Sequence, residues 1–288
     1  MSSAALYPAD RVDPAALHAA FGQAFADYLI GPFALSPAQW PQFLARQCVD
    51  LALSRVLMQG GQPLAFAFVA PRPVGRPRWR LATMGVVPAA RGSGAAPRLL
   101  DDFIARAAAA GLAEVELEVF AQNERALRLY RSRGFETLHE LQGYEAAAPG
   151  GAAAEPPAAI DRLDRAAAFA WIEREALPRL AELPLQQTPA ALAAGTAELL
   201  GWQLGSALLL FSRLDADSLA IASLIDWRPA QNEARRLLRA LRAAHPAQRI
   251  RVPQLQRLDT GGQALRDSGF QPLPLHQLLM RAPTGAMR

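Results

Sequence analysis

The chain has 288 residues, about half of them apolar and a fifth charged, which fits two ordinary globular domains and excludes a disordered or fibrous protein. No apolar run reaches the ~18 residues that a membrane span requires. The net charge is only +4, and every basic residue is arginine; without lysine the pI rises to about 9.9 with no dense positive field, so nucleic-acid binding is not demanded. MSSAALYPADRVD lacks a basic segment followed by an apolar one, so no secretory signal is expected. Cys48 is the sole cysteine; no internal disulfide is possible, and a reducing cytoplasm is the expected compartment.

In chain order, helices are predicted at about Pro14–Tyr28 and Pro37–Cys48, followed by strands at Ser54–Gln59, Pro63–Ala70 and Trp79–Val87. Gly60-Gly61 turns the first strand into the second. Arg72, Arg76, Arg78 and Arg80, interleaved with proline and Trp79, read as a solvated hairpin tip, with an anion-binding patch as the alternative. A helix at Pro97–Ala110 places Leu99, Leu100, Phe103, Ile104 and Ala107 on one face and stops at Gly111. The strand Glu114–Phe120 alternates, so its carboxylates share one face and its aliphatics the other. A helix at Glu124–Arg133 and a strand near Thr137–Gly143 complete the first half.

Residues 146–159, AAAPGGAAAEPPAA, contain no large apolar side chain and read as a linker, dividing the chain into domains 1–145 and 160–288. The second half repeats the layout: a hairpin of Leu208–Phe211 with Leu219–Asp226, a helix at Gln231–Ala244, and a strand at Arg249–Gln254. A segment at 262–270 then ends, like 125–135, in Gly-Phe. The copy has no glycine between Trp227 and Leu237, and Leu265 stands where Tyr130 would be.

The turn Arg91-Gly92-Ser93-Gly94-Ala95-Ala96 leads into a helix. Such a turn offers unpaired backbone N–H groups and the positive end of the helix dipole to an anion. Pro97 subtracts one donor but is tolerated in the first helical turn. Asn123 suits a helix N-cap, and Tyr130 shares a face with Ala126 and Leu127. The histidines His18, His139, His245 and His276 lack metal-ligand spacing, so no metal is expected. Asp101-Asp102 reads as a solvated acidic pair near a helix start.

Taken together, V-x-P-x-x-R-x-x-G-x-A (Val86–Ala96), the strand ending Leu117-Glu118-Val119, and N-x-x-A-x-x-x-Y-x-x-x-G-F (Asn123–Phe135) resemble the GCN5-related N-acetyltransferase (GNAT) family. The likeness is strong over about Pro63–Gly143 and topological in the second half. It implies an α/β (α+β) fold of two tandem GNAT-like domains, the second degenerate. Each would be a mixed, mostly antiparallel, splayed sheet flanked by helices. It further implies acetyl transfer from acetyl-CoA to an amine by direct attack in a ternary complex. Met84 and Val86 would pair with the pantetheine arm through their backbones. Arg91, Gly92, Ser93, Gly94 and Ala96 would wrap the pyrophosphate, and Asn123 would touch the cofactor arm. Tyr130 would protonate the departing thiolate. Glu118, twelve residues before Tyr130 as in the ribosomal-protein N-terminal acetyltransferases of the family, would be the base, with Glu116 as rival. The second domain would shape the acceptor site or stabilise the molecule. The acceptor is open between a small molecule and a peptide N-terminus, and the oligomeric state between monomer and homodimer. An acyl-CoA sensor without turnover is the alternative of a different class.

Overall fold

The structure, a computed structural model, describes residues 4–72, 76–180 and 182–286. The tip of the predicted arginine hairpin, 73–75, and the first three residues of the N-terminal segment lie outside the described residues. The chain divides into two compact units: residues through Leu138 together with those from Leu279 onward, and His139–Leu278. Sequence composition instead put the division at 146–159, because a linker signature marks where chain lacks apolar side chains and not where packing changes hands.

The first unit contains β1 (Ala5–Pro8), α1 (Pro14–Ala24), α2 (Trp40–Arg46), β2 (Asp50–Gln59), β3 (Gln62–Arg72), β4 (Arg78–Val86), α3 (Ala95–Ala109), β5 (Glu114–Phe120) and α4 (Glu124–Arg131). Strands run in the order β1-β2-β3-β4-β5, antiparallel except for the parallel β4–β5 pair. One face of this sheet packs Phe66 and Phe68 against Phe21, Phe25 and Trp40 of the N-terminal helical segment. Gly85 permits that contact, since a Cβ there would lie 2.5 Å from the Phe66 ring and 3.0 Å from Ala24. On α3, Leu99, Leu100, Phe103, Ile104 and Ala107 are buried as the periodicity predicts. Arg106 of the same helix lies over the Trp79 ring at 5.5 Å. Asp101 and Asp102 are not merely solvated: they pair with Arg133 at 2.9 Å and Arg106 at 2.8 Å.

The second unit carries most of β6 (Glu136–Ala146), then β7 (Asp161–Leu163), α5 (Arg165–Trp171), α6 (Pro189–Ala193), β8 (Leu200–Leu204), β9 (Ala207–Arg213), β10 (Ser218–Asp226), α7 (Asn232–Ala244), β11 (Arg249–Arg257) and α8 (Gly262–Asp267), and the first residues of β12 (Gln271–Pro283). Its strand order is β6-β11-β10-β9-β8-β7, again with one parallel pair, β10–β11. Each unit is therefore a mixed, mostly antiparallel sheet flanked by helices. The short β1, β7 and β8 and the long β12 went unpredicted because pairing, not local alternation, defines them.

Candidate active site

The candidate site forms where β4 and β5 part. They pair only at Trp79↔Val115, Arg80↔Glu116 and Leu81↔Leu117. Directly after Leu81, β4 bulges: Val69 faces Leu81 and Phe68 faces Thr83, leaving Ala82 as the extra residue. Beyond the bulge the Val87 amide donates to the Leu64 carbonyl at 2.9 Å. In an antiparallel ladder hydrogen-bonded pairs alternate, so Thr83, Gly85 and Val87 turn their backbone groups toward β3. Met84 and Val86 therefore turn theirs to the opposite edge, where β5 has separated. An extended chain bearing amides finds donors and acceptors on that edge.

Continuing past Val86, a short 3-10 turn (Pro88–Ala90) leads to Gly92 and Gly94, at φ 83° and 86°, and then to α3. A Cβ at either glycine would meet nothing within 4 Å, so the turn is open toward solvent. Ser93 is exposed, its amide and hydroxyl both donating to the Ala90 carbonyl. Among the described residues, the amides of Gly92, Gly94, Ala95 and Ala96 have no protein acceptor. Four free donors at a helix N-terminus fit a pyrophosphate. The Arg91 side chain is held elsewhere, in two hydrogen bonds of 2.5 and 2.6 Å to Asp27 and one to the Ala24 carbonyl. That hydrogen bond holds the Asp27 carboxyl below its ordinary range and raises the Arg91 guanidinium.

Asn123 caps α4, its side chain accepting from the Ala126 amide at 3.2 Å. It also hydrogen-bonds Tyr28, whose ring lies 6.2 Å from Phe120. Burial raises the Tyr28 phenol, and the Asn123 bond opposes the shift. Tyr130 is buried on α4 at 5.8 Å from the Phe135 ring. Burial, with a smaller contribution from Tyr28, lifts its phenol well above the usual value, so the hydroxyl is protonated at neutral pH. Tyr28 and Asp27 thus adjoin the predicted residues. Sequence reasoning left them in a helix end and loop because no spacing rule links them to Asn123 or Arg91.

The arginines correct the sequence reading. Arg72, Arg78 and Arg80 are not a solvated tip: they are 5 %, 3 % and 2 % exposed. Arg72 meets Glu116 at 2.7 Å, Arg78 meets Glu116 at 3.4 Å, and Arg80 meets Glu118 at 2.7 Å. The signal was present in the alternation itself. Arg78 and Arg80 on β4 and Glu114, Glu116 and Glu118 on β5 recur every second residue, as opposite charges on adjacent strands do. Glu118 is the first residue past the last paired position, with its side chain 1 % exposed.

The second unit repeats the scaffold but not the opening. β10 and β11 pair only at Ser218↔Arg249, Leu219↔Ile250 and Ala220↔Arg251, and β10 then bulges at Ala222. Here the Gln256 side chain donates to the Leu224 carbonyl of β10 at 3.1 Å. The fully buried Asp226 carboxylate accepts from the amides of Arg228 and Ala234 at the start of α7, both at 3.1 Å. Gln231, at φ 46°, bonds the Leu258 carbonyl and the Ala264 amide.

Residues 20–135 match the family model described as acetyltransferase (GNAT) family. No curated protein matches the sequence. Among solved structures, a tandem GNAT protein from the clavulanic acid biosynthesis pathway is similar at 15 % identity and a TM-score of 0.62, over 99 % of this chain and 100 % of that one. A GCN5-related N-acetyltransferase from Sphaerobacter thermophilus is similar at 14 % identity and 0.59, over 98 % and 96 %. A probable N-acyltransferase from Enterococcus faecalis V583 is similar at 12 % and 0.64, over 98 % of this chain and 72 % of that one. At these identities the structures speak for the fold alone. Among the described residues no helix is long and apolar enough to cross a membrane, and no cluster of metal-ligating side chains occurs. The motif of 86–135, the splayed sheet and the family match over 20–135 agree in giving the first unit a GNAT acetyltransferase domain.

Proposed function

We propose that this protein is an acetyl-CoA-dependent N-acetyltransferase whose chemistry resides in the first unit. One observation carries the reading. The edge of β4 presenting the backbones of Met84 and Val86 leads directly into the open turn Gly92–Ala96 with its free amides. That continuous series of donors and acceptors suits the pantetheine and pyrophosphate of coenzyme A. Arg91, tied to Asp27, contributes mainly through its backbone and through the shape it gives the turn. Asn123 serves as helix cap and contact to the cofactor arm.

Acetyl-CoA supplies a thioester carbonyl, which a neutral amine attacks, forming the C–N bond and breaking the C–S bond. The amine loses one proton as the amide forms, and the thiolate gains one. Tyr130, held protonated by burial, donates to the departing sulfur and is reprotonated from the amine side. Met84 or Val86 backbone N–H groups at the splayed edge stabilise charge on the carbonyl oxygen. Glu118 faces the point where the strands part and takes the proton of the arriving ammonium, which leaves the amine neutral for attack. No enzyme-bound acyl group is needed, so the transfer proceeds in a ternary complex.

The pairing of Glu118 with Arg80 favours a second reading, in which the protein binds acyl-CoA without turnover. A thiol-release assay with acetyl-CoA across small amines and peptides separates the two. Release that depends on an added amine and falls in Tyr130→Phe establishes the transferase. Tight acetyl-CoA binding with no release from any amine establishes the sensor.

A further inference from the structure

One face of the first unit holds a buried layer of opposite charges that acetyl transfer alone does not require. Arg72, Arg78, Arg80 and Arg281 meet Glu114, Glu116 and Glu118, four cations against three anions. Arg72, Glu116 and their neighbours interlock, with the two shortest cross-contacts at 2.7 and 3.4 Å. Arg80 and Glu118 stand apart as a pair at the apex of the β4–β5 splay, one residue from the last paired position on each strand. Arg80 reaches Glu118 through Nη2 alone. That contact is an ion pair without a hydrogen bond: Nε and Nη1 of Arg80 and both carboxylate oxygens of Glu118 are buried with no hydrogen-bond partner among the described residues. Leaving charged donors and an acceptor unmet together is costly, unless a ligand completes them.

What completes them is defined by their chemistry. Two guanidinium N–H groups call for an anionic oxygen, and the adjacent carboxylate oxygen calls for an N–H donor. We propose that the acceptor is an amine that also carries a carboxylate, with Arg80 holding the carboxylate and Glu118 facing the amino nitrogen. This rests on the acetyl-transfer reading. It gives Glu118 a substrate amine to deprotonate while Arg80 remains charge-compensated. Cys48 lies in the turn between α2 and β2 and takes φ 51°. Burial raises its thiol and the charges of Arg80 and Arg72 oppose the shift, so Cys48 is within electrostatic reach of both arginines.

The test pairs each amino acid with its decarboxylated amine, phenylalanine with phenethylamine and tyrosine with tyramine, using the full chain and acetyl-CoA. In the wild type kcat/KM for the carboxylated member exceeds that of its partner by about 10²-fold, the scale of a buried charge-assisted contact. In Arg80→Gln that ratio falls toward one, with folding checked by retained acetyl-CoA binding. A second readout needs no turnover. With coenzyme A present, phenylalanine slows alkylation of Cys48 by iodoacetamide in the wild type, whereas phenethylamine does not. Equal use of the two members, or a preference that survives Arg80→Gln, overturns the proposal. Protection of Cys48 by phenylalanine without thiol release from any amine upholds carboxylate recognition and defeats the transferase reading. Absence of both defeats both.

Discussion

The N-termini of α3 and α7 stand at the same place in the strand–turn–helix order of their units, and they treat negative charge in opposite ways. At α3 the turn is built on Gly92 and Gly94 and leaves its amides unmet. At α7 the protein supplies its own anion, since Asp226 accepts from Arg228 and Ala234. The parallel pairing of three residues and the bulge that follows it are common to both units. Yet Gln256 bonds the backbone of β10 where β4 leaves Met84 and Val86 unoccupied by protein. The splay thus belongs to the scaffold, while the backbone groups left open differ between the units.

The largest effect expected from breaking this contrast is at Tyr130. Tyr130→Phe lowers kcat of amine-dependent thiol release by about 10²–10⁴-fold, the range of a general-acid contribution, while the Kd for acetyl-CoA stays within a few-fold. Retention of full kcat would remove Tyr130 from the chemistry. Next comes Glu118→Gln, which strands the Arg80 guanidinium in a buried site. It lowers unfolding free energy by about 3–5 kcal/mol in denaturant titration, and Arg80→Gln/Glu118→Gln recovers much of the loss. If both variants are equally unstable, the pair is not what matters there.

Gly94→Val forces a β-branched residue to φ 86° in the glycine turn before α3. Strain of about 1–2 kcal/mol falls on the turn itself, and the Kd for acetyl-CoA, measured by calorimetry, rises about tenfold or more. In the second unit Asp226→Ala removes the internal anion and costs about 1–3 kcal/mol of stability, without changing how many acetyl-CoA molecules bind. The smallest effect is at Arg91→Ala, a change of a few-fold in acetyl-CoA affinity, because the guanidinium is already engaged by Asp27. Asp27 is held below its ordinary value by Arg91, so it stays ionised above its unfolded pKa. The ion pair weakens only as pH falls through the lowered value, and affinity is accordingly flat from pH 8 to about 5.

Much of the first unit was legible in the sequence because local chemistry determines it. The glycine turn, the alternation of β5, the apolar stripe of α3 and the Asn123 cap each reside in a short window. The arginines were misread because proline and tryptophan between them suggested a tip. Their burial follows from glutamates on a strand more than thirty residues away, which a single window does not see. The plugging of the second unit by Gln256 and Asp226 was only half legible. The missing glycine was visible, but the bonds of Gln256 and Asp226 depend on three-dimensional closeness of β10, β11 and α7.

The contrast between the two units is decided by the stoichiometry of acetyl-CoA binding to the full chain, measured by isothermal titration calorimetry. One equivalent per chain is expected, strongly weakened by Gly94→Val and unaltered by Asp226→Ala. Two equivalents, or one that persists undiminished in Gly94→Val, would contradict the contrast.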